Sequence, residues 1–237
     1  MSKELKVKIN LKASGQNFEC PLCKTKGYIN YYPPLAQAYV VCPHCGETLS
    51  SNVEPFKYKI IALMGEAGSG KDFLLKAAKI RYPEYHSIVS CTSRPPREGE
   101  VDGEAYHFLT DLEFENKIRN GEMFEFVGFR GWTYGTSSDG LSATGVNIGV
   151  FNPDGIRQLM ENPRVELKVF WVAAAPKTRL LRQLNREENP DVEEIIRRFG
   201  TDEEDFSEID FPYETISNES SAFSAVMNEL DKLVWTD

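Results

Sequence analysis

Short apolar runs alternate with helical patterns along most of the chain. The run from Tyr58 to Met64 is too short for a helix and is followed by glycine, which favours a buried strand; a helical pattern then extends from Lys71 to Arg81. Three later apolar runs, at 146–151, 165–172 and 213–216, are each followed by a helical stretch, beginning at Pro153, Pro176 and Ser220. This alternation predicts an α/β fold in which a parallel sheet has helices on both faces.

Two segments depart from this alternation. Between about 93 and 134 the pattern consists of short β-like pieces around one helix at 111–120, which predicts a lobe inserted into the α/β core. Near the N-terminus lysine alternates with apolar residues as in a strand, and a turn-rich stretch at 50–55 is typical of a linker. The sequence therefore predicts two domains, residues 1–53 and residues 54–237.

Composition and charge narrow the class of protein. With 237 residues, 41% of them hydrophobic, the chain has enough apolar material for one large core and a small appendage. The formal net charge of −9 argues against a protein that binds nucleic-acid phosphates over its whole surface. The charge is uneven: residues 1–56 contain six lysines and four acids, whereas the remainder carries 21 basic and 32 acidic side chains. An anionic ligand of the larger domain must therefore meet local donors in an acidic body.

The cysteine pattern bears on metal binding. No apolar run reaches 18 residues and the N-terminus lacks a secretory signal, so we expect a cytoplasmic protein with no membrane partner. In a reducing compartment, paired cysteines are typical of metal sites rather than of disulfides. Two Cys-x-x-Cys pairs predict an N-terminal zinc ribbon, in which four thiolates hold one structural Zn²⁺: Cys20, Cys23, Cys42 and Cys45. The alternative is free or redox-active cysteines.

A glycine-rich segment separates the first strand and the first helix of the larger domain. It reads Gly65-Glu-Ala-Gly68-Ser69-Gly70-Lys71. In this context the segment predicts a phosphate-binding loop (P-loop) for ATP, whose backbone N–H groups and following helix hold the phosphates while Lys71 reaches the β and γ phosphates. The alternative is a glycine-rich turn with a chance lysine.

The residue after the lysine differs from the usual P-loop pattern. A Ser or Thr hydroxyl normally binds Mg²⁺ at this position, but here the residue is Asp72. A carboxylate can bind Mg²⁺, because hard cations take oxygen ligands, and it also places negative charge beside the phosphates. Alternatively, Asp72 only sits favourably in the first turn of the helix.

The inserted lobe is dense in groups that bind phosphate. Arg94 and Arg97 bracket a stiff Pro-Pro segment, which holds two guanidinium groups ready for a phosphate dianion. Taken singly, such charged residues are more often part of a solvated surface. Residues further along the lobe add an acid, two tyrosines and a hydroxyl: Tyr106, Glu125, Tyr134 and Thr136.

Together these motifs resemble the guanylate kinase family over nearly all of residues 57–237. The similarity runs through the phosphate loop, the Ser-x-Thr-x-Arg-x-Pro-Arg-x-Gly-Glu stretch beginning at Ser90, the Asn-Gly-x-Phe-Glu-like strand and the Gly-x-x-Tyr-Gly-Thr turn beginning at Gly131. The resemblance implies a P-loop kinase core with a parallel sheet flanked by helices, an inserted GMP-binding lobe and a helical lid. It also implies an enzyme that transfers the γ-phosphoryl of ATP to GMP or dGMP with Mg²⁺.

The resemblance implies roles for individual residues of the lobe. Glu100 would orient the two arginines, or alternatively would only cap a turn. Guanine presents an N1–H and N2–H₂ donor pair beside its O6 acceptor, which a carboxylate and hydroxyls satisfy. The acceptor phosphate would be held by Arg94, Arg97, Tyr106 and Tyr134, and the guanine edge would be read by Ser90, Glu125 and Thr136.

The lid would supply further cations, because phosphoryl transfer is catalysed mainly by positioning and charge neutralisation. Among the four candidates Arg182, Arg186, Arg197 and Arg198, we expect Arg186 and Arg198 to act on the transferring phosphate. The alternative is a surface helix whose arginines pair with Glu193 or Glu194. Asn218 matches a family asparagine near the adenine side of the ATP site.

A second departure lies at the end of the strand at 146–151. Family members carry aspartates there, whereas this chain has an apolar residue and Asn152. An asparagine oxygen can still accept from the guanine amino group, but without charge. Asp154 could substitute through a register shift, or could simply occupy the first turn of the next helix. We therefore hypothesise that the carboxylate partner of the metal has moved to Asp72.

Three functions follow from these patterns. The first is a guanylate kinase that converts GMP or dGMP to the diphosphate. The second is a catalytically impaired guanylate-kinase-like module that holds a nucleotide or protein partner and is directed by the zinc ribbon. The third is a kinase for a modified nucleoside monophosphate, because Asn152 alters one base contact. The ribbon would either bind nucleic acid or protein, or cover part of the kinase domain.

Overall fold

The computed structural model describes residues 16–19, 24, 26–29, 39–41, 48–50, 57–97, 99–104, 106–129, 131–186, 188–219 and 223–236. Within these ranges no helix has both the length and the apolar character that a membrane crossing requires. Most of the predicted N-terminal strand lies outside the described residues, as do the four predicted zinc ligands Cys20, Cys23, Cys42 and Cys45.

Two short hairpins come first along the chain. In the first, β1 (Gln16–Glu19) pairs antiparallel with β2 (Lys26–Ile29). In the second, β3 (Tyr39–Val41) pairs antiparallel with β4 (Thr48–Ser50). The segment that connects the two strands of each hairpin contains one of the two Cys-x-x-Cys pairs.

Strands and helices then alternate, as the apolar pattern predicts. The predicted helix at 220–235 is shorter than expected: the α-helix ends at Leu230 and a 3₁₀ turn follows, which carries Leu233 into the core with no exposed surface. The elements after the hairpins are β5 (Tyr58–Met64), α1 (Lys71–Arg81), β6 (His86–Ser87), β7 (Ser90–Thr92), β8 (Tyr106–Phe108), α2 (Asp111–Arg119), β9 (Met123–Phe129), β10 (Trp132–Ser137), β11 (Val146–Val150), α3 (Pro153–Glu161), β12 (Val165–Ala173), α4 (Pro176–Leu184), α5 (Val192–Asp205), β13 (Glu214–Ser217) and α6 (Phe223–Leu230).

The central sheet is parallel and has the order β13-β12-β5-β11-β6. Successive side chains of its middle strand, β5, point to opposite faces. Ile60 therefore packs with Ile156 of α3 on one face, while Ile61 packs with Leu74 of α1 on the other, and none of the four has exposed surface. The predicted parallel sheet with helices on both faces is confirmed, and the carboxyl ends of its strands meet at one edge, where α/β proteins bind ligands.

The inserted lobe forms a second sheet with the order β8-β7-β10-β9. Pairing between β9 and β10 puts Thr136 directly opposite Glu125, and pairing between β7 and β8 puts Ser90 beside Tyr106. Residues predicted from separate motifs are thus brought onto adjacent strands.

Candidate active site

The loop between β5 and α1 has the backbone shape of a phosphate cradle. Gly68 and Gly70 have φ angles of 80° and 93°, in the left-handed region that favours glycine. A Cβ at Gly68 would lie 2.6 Å from the carbonyl oxygen of Arg179, so a side chain there would collide with backbone. Among the described residues, the N–H groups of these two glycines have no hydrogen-bond acceptor. They are therefore available to an anion at the start of α1.

Lys71 lies at the centre of this loop. Its Nζ donates hydrogen bonds to the carbonyl oxygens of Gly65, at 2.5 Å, and Glu66, at 3.1 Å. Burial lowers the pKa of Lys71, whereas the nearby carboxylates, Asp72 foremost, oppose that change. The ammonium group is thus held against the loop, where it can meet a phosphate oxygen.

Asp72 follows in the first turn of α1, and its side chain is exposed. An exposed carboxylate beside the loop suits Mg²⁺, which takes oxygen ligands and keeps several of its waters. Among the described residues, no group of three or more His, Cys, Asp or Glu side chains is arranged to hold a metal ion. A magnesium ion here would therefore also depend on phosphate oxygens of the nucleotide.

A cavity of about 340 Å³ opens between the second sheet and the edge of the central sheet. It combines one buried acid, two tyrosine hydroxyls and an apolar wall, a mixture typical of small-molecule sites. Five of the predicted substrate residues line it: Ser90, Tyr106, Glu125, Tyr134 and Asn152. The cavity is also lined by Val127, Phe129, Gly135, Val150, Phe151 and Asp205.

Glu125 is the buried acid of this cavity. Only 5% of its surface is exposed, and burial raises its pKa to about 7, although the adjacent Thr136 opposes the change. The Thr136 hydroxyl is itself buried, and no described residue gives it a hydrogen bond of good geometry. A carboxylate and a hydroxyl thus stand side by side with capacity for a polar ligand.

Asn152, at the start of α3, lies at the same corner of the cavity as Glu125. Its Oδ1 accepts a hydrogen bond from Gly155 N–H at 2.8 Å and so caps the helix. A Cβ at Gly155 would lie 2.9 Å from Glu125 Oε2 and 3.1 Å from Asn152 Oδ1, so both oxygens share this corner. Asp154 does not substitute for the missing strand-end acid, because it pairs with Arg157 at 2.8 Å on the exposed side of α3.

Glu100 organises the arginines of the lobe. Its carboxylate accepts two hydrogen bonds from the Arg94 guanidinium, at 2.9 and 3.0 Å, and one from Arg97 N–H at 2.7 Å. Arg94 has 8% exposed surface, and its guanidinium lies 5.7 Å from the centre of the Tyr106 ring. The Arg97 side chain is exposed. Glu100 therefore both orients Arg94 and closes the turn, which the sequence offered as alternatives.

The two tyrosines of the cavity lie close together. The rings of Tyr106 and Tyr134 meet edge to face, with centres 5.8 Å apart. Burial raises the pKa of Tyr106, and the neighbouring Tyr134 and the Asp72 carboxylate add to the rise.

The predicted lid arginines lie on the surface. Arg198 donates to Glu194 at 2.8 Å on α5, the helix-surface pairing that the sequence left open. Arg186 is exposed, and neither arginine lines the cavity. Asn218, in contrast, is 3% exposed and donates to the Ser69 carbonyl oxygen at 2.7 Å, which fixes the phosphate loop.

Two arginines of α4 lie at the loop, and one of them is the lid candidate Arg182. Arg182 donates to the carbonyl oxygens of Ser69, at 3.2 Å, and Asn218, at 2.6 Å. Arg179 is 5% exposed and pairs with Glu66 at 2.8 Å. Sequence reasoning missed Arg179, although its spacing of three residues from Arg182 on a predicted helix was a signal that both share a face.

Comparison with known proteins bears on this site. The family model for guanylate kinase matches residues 57–236. The guanylate kinase of a Nostoc species is 42% identical over 87 residues, which are 37% of this chain and 44% of that protein. The guanylate kinase of Frankia casuarinae is 36% identical over 148 residues, 59% of this chain and 77% of that protein. This chain thus spans less than half the length of the first of these relatives.

Among solved structures, the guanylate kinase of Anaplasma phagocytophilum matches with a TM-score of 0.50 at 20% identity. The match covers 75% of this chain and 83% of that chain. It establishes a shared P-loop kinase fold. Because the family model covers nearly the whole region from β5 onwards, the chain belongs to the guanylate kinase family.

Proposed function

We propose that this protein is an ATP-dependent guanylate kinase, which transfers the γ-phosphoryl of ATP to GMP or dGMP. The observation that carries the proposal is a cavity lined by a buried carboxylate, Glu125, and by two tyrosines, one of which, Tyr106, has the Arg94 guanidinium 5.7 Å from its ring centre. An acid at one end and phosphate-binding groups at the other match the two ends of a guanine nucleotide.

Base selection follows from the chemistry of the buried corner. The ionised Glu125 would accept from N1–H and N2–H₂ of guanine. Thr136 lies directly opposite it on the neighbouring strand, fully buried and outside the lining of the cavity. Adenine has no proton on N1, so it would leave a buried carboxylate unpaired, which costs several kcal/mol at a dry site and roughly 10⁴-fold in selectivity. This arrangement favours GMP over AMP.

The acceptor phosphate is held by the opposite end of the cavity. Glu100 fixes the plane of Arg94, and the guanidinium keeps further N–H groups for a phosphate. The hydroxyls of Tyr106 and Tyr134 complete this subsite. The nucleophilic phosphate oxygen is thereby positioned toward the cradle of the second nucleotide.

The triphosphate of ATP would be held by the loop N–H groups and by Lys71. When bound, Mg²⁺ would supply charge neutralisation during transfer. Asp72 fits this ion by ligand chemistry, whereas the strand-end residue Val150 does not. The residues of this chain thus favour a metal carboxylate on α1.

Substitution of Asp72 with alanine is expected to raise the Mg²⁺ concentration that gives half-maximal turnover. The rise should be at least about 10-fold, because loss even of a group that only supports a metal ligand costs about 10–100-fold in metal affinity. The measurement is turnover across a Mg²⁺ titration. For Asp72→Asn, which keeps one side-chain oxygen, this Mg²⁺ concentration is expected to lie between the values for the wild type and for Asp72→Ala. An unchanged midpoint in Asp72→Ala would show that the carboxylate serves only the helix turn.

The proposed activity is tested by an assay that couples ADP formation to a measured signal, with GMP, dGMP, AMP and dTMP as acceptors. Turnover with GMP that Lys71→Ala abolishes supports the kinase. Guanine-nucleotide binding without turnover supports the impaired binding module instead. A clear preference for a base-modified GMP would support the third function, which the change to Asn152 favours.

The N-terminal hairpins support a zinc ribbon. Both Cys-x-x-Cys pairs fall in hairpin connections, the arrangement in which two thiolate pairs hold one tetrahedral ion. Lys24 follows Cys23 and has a φ of 61°, the left-handed conformation, and glycine stands at the corresponding position after Cys45. Glycine is the residue that most readily adopts the backbone conformation seen at Lys24.

We expect the purified protein to contain about one zinc ion per chain, the stoichiometry of a four-thiolate site. Cys20→Ser and Cys42→Ser should each lose most of this zinc, as measured by elemental analysis. Cys91→Ser is the matched control, because Cys91 is buried beside Phe114 and Met123 in the kinase domain. Metal content that is equal in all three variants would contradict the ribbon.

A further inference from the structure

One carboxylate of α5 accepts a hydrogen bond from a backbone N–H of the phosphate loop. Asp202 Oδ2 accepts a hydrogen bond from Ala67 N–H at 2.6 Å, although the residues are 135 positions apart. Ala67 lies between Gly65 and Gly70, in the loop that cradles phosphate. A carboxylate oxygen and a phosphate oxygen are both anionic acceptors, and each forms a strong bond with a backbone N–H. While Asp202 holds this N–H, a phosphate oxygen cannot take its place.

A buried arginine beside the same loop has unused donors. Arg179 pairs through Nη2 with Glu66 at 2.8 Å, and its Nη1 lies 3.6 Å from Asp202 Oδ2, longer than a hydrogen bond. Among the described residues, neither Nη1 nor Nε has a hydrogen-bond partner, yet the side chain is 5% exposed. Buried donors without acceptors are costly, so this guanidinium is suited to an anionic ligand.

The charges around the loop are close to balanced. Three cations lie at the loop, Lys71, Arg179 and Arg182. They stand against three carboxylates, Glu66, Asp72 and Asp202, and Arg198 also acts on Asp202. A triphosphate that enters with Asp202 in place therefore meets a competing anion. Displacement of Asp202 from Ala67 would free one loop N–H and would remove the carboxylate that lies 3.6 Å from the unpartnered Nη1 of Arg179.

We infer that Asp202 stands in for a phosphate in the nucleotide-free protein, and that ATP binds by displacing it and recruiting Arg179 as a phosphate ligand. The inference rests on the proposed function, since it takes ATP as the ligand of this loop. The two residues then have opposite effects: Asp202 weakens the binding of ATP, and Arg179 strengthens it. If these residues only joined α5 to the loop, removal of either one would change ATP binding in the same direction.

Calorimetric titration of the full chain with Mg²⁺-ATP, in the absence of GMP, tests the inference. Asp202→Ala is expected to bind ATP roughly 10-fold more tightly, and Arg179→Ala roughly 10-fold more weakly, the scale of one hydrogen bond to a charged group. Glu203→Ala is the matched control, because it removes the same charge from the exposed neighbouring position of α5. It should change the affinity by less than about twofold, as expected for a screened surface charge.

The outcomes separate the inference from the proposed function. Tighter binding by Asp202→Ala with unchanged GMP affinity supports the inference. If the wild type binds ATP and Asp202→Ala binds it with equal or lower affinity, the inference is overturned and the kinase assignment stands. Absence of ATP binding in every form contradicts both. If Asp202→Ala does not fold, Asp202→Asn replaces it, because asparagine keeps the shape of the side chain without its charge. Asp202→Asn must then bind ATP more tightly than the wild type, by a smaller factor than is expected for alanine.

Discussion

Alanine at position 71 is expected to lower the rate of phosphoryl transfer to GMP by roughly 10³-fold or more, the scale at which a single cation acts on a transferring phosphoryl group. Lys71 Nζ lies against the proposed triphosphate loop and donates hydrogen bonds to the carbonyl oxygens of Gly65 and Glu66. Its loss removes a charge that neutralises the phosphates and two bonds that shape the loop. Steady-state turnover at saturating ATP and GMP measures the effect.

The Lys71→Ala substitution should affect the phosphate loop and leave the binding of GMP unchanged. GMP affinity, measured by calorimetry, is expected to stay within about twofold, because Lys71 does not line the acceptor cavity and acts there only at a distance. Lys76→Ala is the matched control, since this lysine is exposed on the same helix. Turnover of Lys71→Ala within tenfold of the wild type would contradict the assignment of this loop as the triphosphate site.

Glutamine at position 125 is expected to reduce kcat/KM for GMP by roughly 10⁴-fold, because the amide would direct N–H₂ at the donors of guanine in a buried corner. The same change should stabilise the fold at high pH. Burial holds the pKa of Glu125 at about 7 in the folded protein, against 4.5 for the ordinary carboxyl group. As pH rises from about 4.5 to 7, the unfolded chain therefore loses this proton before the folded one does, and stability falls.

Glutamine does not titrate, so the free energy of unfolding of Glu125→Gln should exceed that of the wild type by up to about 3 kcal/mol at pH 8, with little difference near pH 4. Urea denaturation at the two pH values measures this. Wild-type GMP affinity should also rise from pH 6 to pH 8, because the ionised carboxylate is the acceptor. Glu166→Gln, on the exposed side of β12, is the control. Equal stability of Glu125→Gln and the wild type at pH 8 would mean that residue 125 is not a buried charge.

The elements of the core were predictable because their signals are local. In β5, successive buried positions such as Ile60 and Ile61 pack on opposite faces of the sheet, and the apolar run that contains them is visible in the sequence. The glycines of the phosphate loop were predictable for the same reason, since a positive φ and a close backbone approach demand glycine whatever lies around them. Glu100 and Arg94 are six residues apart, so their pairing was also within reach of sequence reasoning.

The long-range contacts of the site were not predictable in this way. Of the four arginines that the sequence offered as cations of the lid, Arg182 donates to the loop, while Arg198 pairs with Glu194. Arg179, which the sequence did not single out, also lies at the loop. Which face of α4 meets the loop depends on how the helix packs against the rest of the chain. Spacing along the helix shows only which arginines share a face.

By itself, the sequence determined the main strands and helices of the central sheet and the glycine loop between β5 and α1. Only the tertiary structure decided that Asp202 reaches Ala67 and that Glu125 meets Asn152 at the start of α3. The physical reason is the distance along the chain over which each effect acts, because backbone preferences and apolar periodicity depend on only a few neighbouring residues. Contacts between residues on different elements, far apart along the chain, are instead set by the packing of whole elements.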